Sequence, residues 1–153
     1  MDKELIRILA IDPGEVRIGL AISDLTATIA NPLMVIKHVQ REKDAEKIVS
    51  IAVENSVQLI IIGQALTIDG EPNPSGRKSA RLADAIKRIT EIPVILWDEN
   101  ESTKIARNAR KEMKLKKKRH QSHVDDLAAT VILQSYLDKI PHDSDLTDLS
   151  QEN

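Results

Sequence analysis

Apolar positions along this chain fall into two periods, and the switches between them lay out the elements. Ile6 to Asp12 is almost continuously apolar and stops at Pro13-Gly14, which predicts a buried strand ended by a turn. From Val16 to Ile22, the residues Val16, Ile18, Leu20 and Ile22 alternate with Arg17, Gly19 and Ala21. The two runs around Asp12-Pro13-Gly14-Glu15 predict a hairpin, and Pro32 to Ile36 supplies a third strand. Lys43 to Asn55 changes to helical spacing, with Ile48, Ile51 and Ala52 on one face.

Leu59 to Ile62 then reads as a short buried strand ending at Gly63, followed by a loop from Thr67 to Gly76. A helix carrying Leu82, Ile86 and Ile89 leads to Pro93 and a strand from Val94 to Trp97. Ser102 can cap a further helix with Ile105, Ala109 and Met113 on one face. A last helix is expected from about Ser122 to Leu137, with an apolar stripe of Val124, Leu127, Ala128, Val131 and Ile132. The order predicts an α/β fold: three antiparallel strands, then parallel ones, in a mixed five-stranded sheet flanked by helices. One domain over residues 1–140 accounts for it, and residues 141–153 read as an acidic, disordered tail.

Composition narrows the chemistry. There is no cysteine, which removes disulfides and thiolate metal sites. One tryptophan, one tyrosine and no phenylalanine leave a core of Ile, Leu, Val and Ala. They also weigh against binding single strands by stacking successive bases on aromatic side chains. No apolar run is long enough to span a bilayer and the start does not read as a secretory signal, so no membrane is expected and the default location is cytoplasmic. The net charge of -2 conceals a division along the chain. Residues 104–119 hold nine Lys or Arg against Glu112 alone, whereas residues 138–153 hold five acids against Lys139. The basic segment is the part suited to meet phosphate.

Three carboxylates fall where a strand end or helix start presents them: Asp12, Glu99 beside Asp98, and Asp125. Carboxylates are hard oxygen ligands suited to Mg²⁺ or Mn²⁺, ions that can activate water and stabilise a leaving phosphodiester oxygen. Each position also has a purely structural explanation. Asp12-Pro13-Gly14 is good turn sequence, Ser122 and Asp125 resemble a capping box, and Asp98-Glu99 suits a helix dipole.

Four motifs in order decide between these. Ile11-Asp12-Pro13-Gly14-Glu15-Val16-Arg17-Ile18-Gly19, followed by Ser23-Asp24, resembles the opening motif of the YqgF family, relatives of the RuvC-type resolvases. Gly63, Leu66 and Asp69-Gly70 resemble that family's Gly-x-x-Leu-x-x-Asp-Gly loop. Trp97-Asp98-Glu99 with Ser102-Thr103 is similar to its Asp-Glu-Arg-x-Thr-Thr motif, and His123-Val124-Asp125 with Ala128-Ala129 and Ile132 to Leu137 to its closing helix. The resemblance covers about residues 5–138. It implies an RNase H-like domain whose acidic triad, catalytic and metal-holding, falls on Asp12, Glu99 and Asp125. It further implies a divalent-metal-dependent nuclease that matures the 5′ end of pre-16S rRNA, in contact with the assembling small ribosomal subunit, or a resolvase acting on branched DNA.

Two departures keep a third reading open. Asn100 stands where the family has arginine, and Glu101 where an apolar residue is usual. The family's Gly-Leu-Pro-Leu loop is Gly63-Gln64-Ala65-Leu66 here. A catalytically silent nucleic-acid-binding module fits those exchanges. Lys114, Lys116, Lys117, Lys118 and Arg119 precede Asp125 closely and are read as a phosphate-gripping arm, and Arg17 either as a phosphate contact near Asp12 or as a balance to its charge. His38, His120, His123 and His142 have no metal-ligand spacing, although His123 stands beside the motif's Asp125. Asp12-x-Gly14 also resembles the phosphate hairpin of actin-like and sugar-kinase ATPases, but those need two such domains and this chain has room for one.

Overall fold

Ile8–Pro13 (β1) and Arg17–Ser23 (β2) pair antiparallel around a turn that requires glycine: a Cβ on Gly14 would meet the Arg17 carbonyl oxygen at 2.3 Å. This computed structural model describes residues 5–67, 69–98 and 127–140. The remaining elements are β3 (Ala30–Lys37), α1 (Arg41–Glu54), β4 (Leu59–Gln64), α2 (Pro74–Lys87), β5 (Val94–Asp98) and α3 (Leu127–Lys139). The strands make one sheet in the order β3-β2-β1-β4-β5, with β2 antiparallel to both β1 and β3, β4 parallel to β1, and β5 parallel to β4. This is the mixed five-stranded sheet expected from the apolar pattern.

Both faces of the sheet are covered, and that explains why neither phase of β1 or β2 is polar. Leu9, Ile11, Ile18, Leu20, Ile60 and Ile62 pack on one side with Ile48, Ala52, Leu82 and Ile86 from α1 and α2. Ile8, Ala10, Ala21 and Ile61 pack on the other with Ala129, Ile132, Leu133 and Leu137 of α3. Gly19 and Ala21, the small residues that alternate with Ile18 and Leu20, are therefore buried as well.

Several boundaries move from those expected, each for a local reason. Ile6 lies outside β1 and forms an isolated parallel bridge with Thr26. Asn73-Pro74-Ser75-Gly76, expected as loop, is the start of α2. The Asn73 side chain accepts the Gly76 N–H at 2.8 Å, and Pro74 occupies the first turn, where no backbone donor is needed. Ile89 lies beyond the end of α2 and is 48% exposed. The buried stripe of α3 is Ala129, Ile132, Leu133 and Leu137; Leu127, Ala128 and Val131 are only half-buried. The expected helix from Ser102, the first turn of the last helix with Val124, and the acidic tail lie outside the described residues.

Candidate active-site edge of the sheet

Asp12 occupies the last row of the β1–β2 ladder but one, directly opposite Gly19. Alternation along β1 sends Leu9 and Ile11 toward α1 and α2, and Ile8 and Ala10 toward α3. Asp12 continues the second phase, so it belongs to the α3 face. Its cross-strand partner Gly19 brings no side chain, and a shallow hollow of about 360 Å³ opens there, lined by Asp12, Val16, Arg17 and Gly19. Arg17, the first residue of β2, is exposed and shares this hollow.

The parallel strands end at the same edge. Ile11 pairs with Ile62, Gly63 with Trp97, and Gln64 with Asp98, so Asp12 stands level with Gly63 and Trp97, and Asp98 one row beyond. Trp97 faces α3: its Nε1–H donates to the Ser135 hydroxyl at 3.1 Å, and its ring meets Tyr136 edge to face with centroids 5.1 Å apart. Burial pushes the Tyr136 phenol up, so it remains neutral beside the indole. Gln134 fastens the same helix to the hairpin side, accepting the Ala30 N–H at 2.9 Å and donating to the Thr28 carbonyl at 3.1 Å. The end of β5 and the helix following the basic segment are thus held to one body.

Of the expected site residues, Asp12 and Arg17 lie together at this edge. Glu99 follows the last residue of β5, and Asp125 precedes the first described residue of α3 by two positions; both lie outside the described residues. So do Lys114, Lys116, Lys117, Lys118 and Arg119, along with Asn100, Glu101, His120, His123 and His142. Among the described residues no three His, Asp or Glu side chains gather as a metal site. Asp12 fits such a site in chemistry and place: a hard oxygen donor, half-buried, at a strand end open to solvent.

One constellation has no signal in the sequence pattern. His38 Nδ1 is hydrogen-bonded to Asp44 Oδ2, and Asp44, only 4% exposed, accepts the Val39 N–H on its other oxygen at 3.0 Å. An acid in the first turn of a helix is ordinary, and a histidine six residues earlier carries no ligand spacing, so only the folded loop brings the two together.

Comparison with known proteins agrees with this fold. The family model described as RuvX, Holliday junction resolvase, matches residues 6–139. A relative from Thermoanaerobacter pseudethanolicus is 40% identical over 133 residues, which cover 86% of this chain and 96% of the relative. One from Roseiflexus sp. is 32% identical over 138 residues, covering 90% and 98%. Both carry the provisional name pre-16S rRNA nuclease. Among solved structures, Thermus thermophilus RuvC in complex with a Holliday junction substrate superposes with a TM-score of 0.59 at 12% identity, over 95% of this chain and 96% of that one. A second RuvC structure from the same organism gives 0.52 at 16% identity. The fold is therefore the RNase H-like fold of RuvC.

Proposed function

Since the chain belongs to the RuvX Holliday junction resolvase family, the YqgF family that its motifs resemble, we propose that it hydrolyses phosphodiester bonds in the precursor of 16S rRNA during 5′-end maturation. The observation that carries this reading is the place of Asp12, at the open end of the central strand, on the α3 face, in a hollow where Gly19 leaves room. The proposed triad adds Glu99 and Asp125. Asp12 and Trp97 share the α3 face of the sheet at this edge. Divalent cations, Mg²⁺ or Mn²⁺, would be held by these carboxylates; when bound they supply an activated water and charge stabilisation at the leaving oxygen.

The chain's own groups have separable tasks in this proposal. Asp12 would help hold the divalent cation beside the scissile phosphate, while Arg17 offers a cation on the same hollow. Lys114 to Arg119 grip flanking phosphates by charge alone, which contributes affinity without sequence choice. We place the protein in the cytoplasm, with the assembling small ribosomal subunit as its partner. No helix among the described residues is long and apolar enough to cross a membrane.

A second reading has its own support. The family description names a Holliday junction resolvase, and the RuvC structure with TM-score 0.59 was solved on such a junction. Purified protein with Mg²⁺ or Mn²⁺, offered a precursor rRNA leader and a four-way DNA junction in parallel, separates the two. Cleavage of the leader supports the proposal, and cleavage of the junction alone supports the second reading. Binding without cleavage of either returns the chain to the silent module that Asn100 and Glu101 suggest.

A further inference from the structure

A cleft of about 720 Å³ opens on the opposite face of the sheet from Asp12, between the β1–β2 turn, the β3–α1 connection and the first turns of α2. That volume suits one small ligand. Its floor includes the buried side chains of Ile18 and Leu82, and its rim carries Arg41, Lys78 and Arg81. The guanidinium groups of Arg41 and Arg81 have no hydrogen bond or ion pair to any described residue. Lys78 meets Glu15 at 3.9 Å across exposed side chains, an arrangement that contributes little and yields readily to a stronger anion.

His38 also lines this cleft, and Asp44 sets how it does so. With Nδ1 directed to a buried carboxylate that is itself held by the Val39 N–H, the ring is fixed and Nε2 is the nitrogen left for a ligand. Two guanidiniums without a counter-ion among the described residues, a lysine in a weak pair and an oriented imidazole surround an apolar floor. That combination suits a phosphate that carries a partly apolar group, as a nucleotide does.

Position decides where that nucleotide comes from. Pro13, Gly14 and Glu15 form one wall of the cleft, and Val16 and Arg17 line the hollow at Asp12. A single turn therefore separates the two. Glu15 is three residues from Asp12, so their backbones lie within about 10 Å. This turn is the short path by which a strand presented at Asp12 would reach the cleft. We propose that the cleft is a subsite for a nucleotide flanking the scissile bond, gripped by Arg41, Lys78 and Arg81 and contacted by His38. The assignment to the same strand rests on the nuclease reading above.

The test uses full-length protein with ¹⁵N-labelled histidine in a chelator, so that no cleavage occurs. The His38 signal is identified by its loss in His38→Gln. A single-stranded RNA hexamer, a nucleoside monophosphate and inorganic phosphate are then titrated separately. The hexamer is expected to move the His38 signal at a concentration at least about tenfold lower than the monophosphate. Arg41→Gln with Arg81→Gln should raise the hexamer Kd at least about tenfold, about threefold or more for each lost guanidinium–phosphate contact. In cleavage assays the same pair should raise KM and leave kcat unchanged. A His38 signal unmoved by the hexamer overturns the proposal, as does equal response to hexamer and monophosphate, which would mark a pocket for free nucleotides. Movement of His38 in a protein that cleaves nothing would remove the nuclease reading and keep the strand-binding cleft; cleavage with no movement would do the reverse.

Discussion

Trp97 and Tyr136, the only aromatic side chains in the sequence, meet each other edge to face across the β5–α3 junction. A chain that otherwise builds its interior from aliphatic residues has placed both rings where the last strand ends and the closing helix packs. Trp97→Leu should lower stability by about 1–3 kcal/mol, less than a fully buried tryptophan because Trp97 is half-buried. Trp97→Phe keeps the ring contact and loses the bond to Ser135, at about 1 kcal/mol. Chemical denaturation of both variants checks the order. A Leu variant as stable as the Phe variant would show that the ring pair contributes nothing.

Gly19 stands across from Asp12, and a side chain there would come within about 5 Å of the carboxylate's Cβ. Gly19→Val is therefore expected to reduce cleavage at least tenfold while the far-ultraviolet spectrum remains that of a folded α/β protein. Full activity in the valine variant would mean that the hollow beside Asp12 is not where the substrate lies.

Asp24 resists protonation in the folded protein. Burial raises its pKa, but the Ile29 N–H, the Thr26 hydroxyl and the Thr28 N–H, all donating to the carboxylate, outweigh it and hold the group at about 2. A folded pKa below the unfolded one stabilises above the unfolded value, and that contribution is lost as pH falls from about 4 to about 2. The melting temperature of the unmutated protein should thus drop more steeply over this window than that of Asp24→Asn. Parallel slopes would show that the carboxylate charge is not what these donors hold.

Replacing Lys116, Lys117, Lys118 and Arg119 with alanine should weaken nucleic-acid binding and flatten its salt dependence. Four lost phosphate contacts correspond to about 3 units in the slope of log affinity against log salt, slightly more on a duplex than on a single strand. An unchanged slope would reduce the run to a solvated loop.

The succession of strands and helices and the place of Asp12 at the end of the first strand were legible in the sequence because burial on both faces writes itself as apolar runs, and turns write themselves as Pro-Gly. What escaped depended on side chains that meet only after folding. Asn73-Pro74-Ser75-Gly76 reads equally as loop or helix start, and the cap bond to Gly76 decides it. Gly76 itself is required by contact, since a Cβ there would meet the Ala65 carbonyl oxygen at 2.2 Å. The α3 stripe shifted to Ala129, Ile132, Leu133 and Leu137 because the helix is largely apolar around its circumference, which leaves its phase to the packing. His38 and Asp44 gave no motif because their pairing depends on the β3–α1 connection rather than on spacing.

Asp12→Asn tests the central claim most directly. The substitution preserves size and serves a turn almost as well as aspartate, but it removes the charge a hard cation needs. Cleavage of the precursor rRNA leader is measured with Mg²⁺ or Mn²⁺ for both proteins, alongside their thermal melts. Loss of cleavage by at least a hundredfold with an unchanged melt and retained RNA binding is the predicted result. Equal cleavage rates in the two proteins would remove Asp12 from the site and contradict the account.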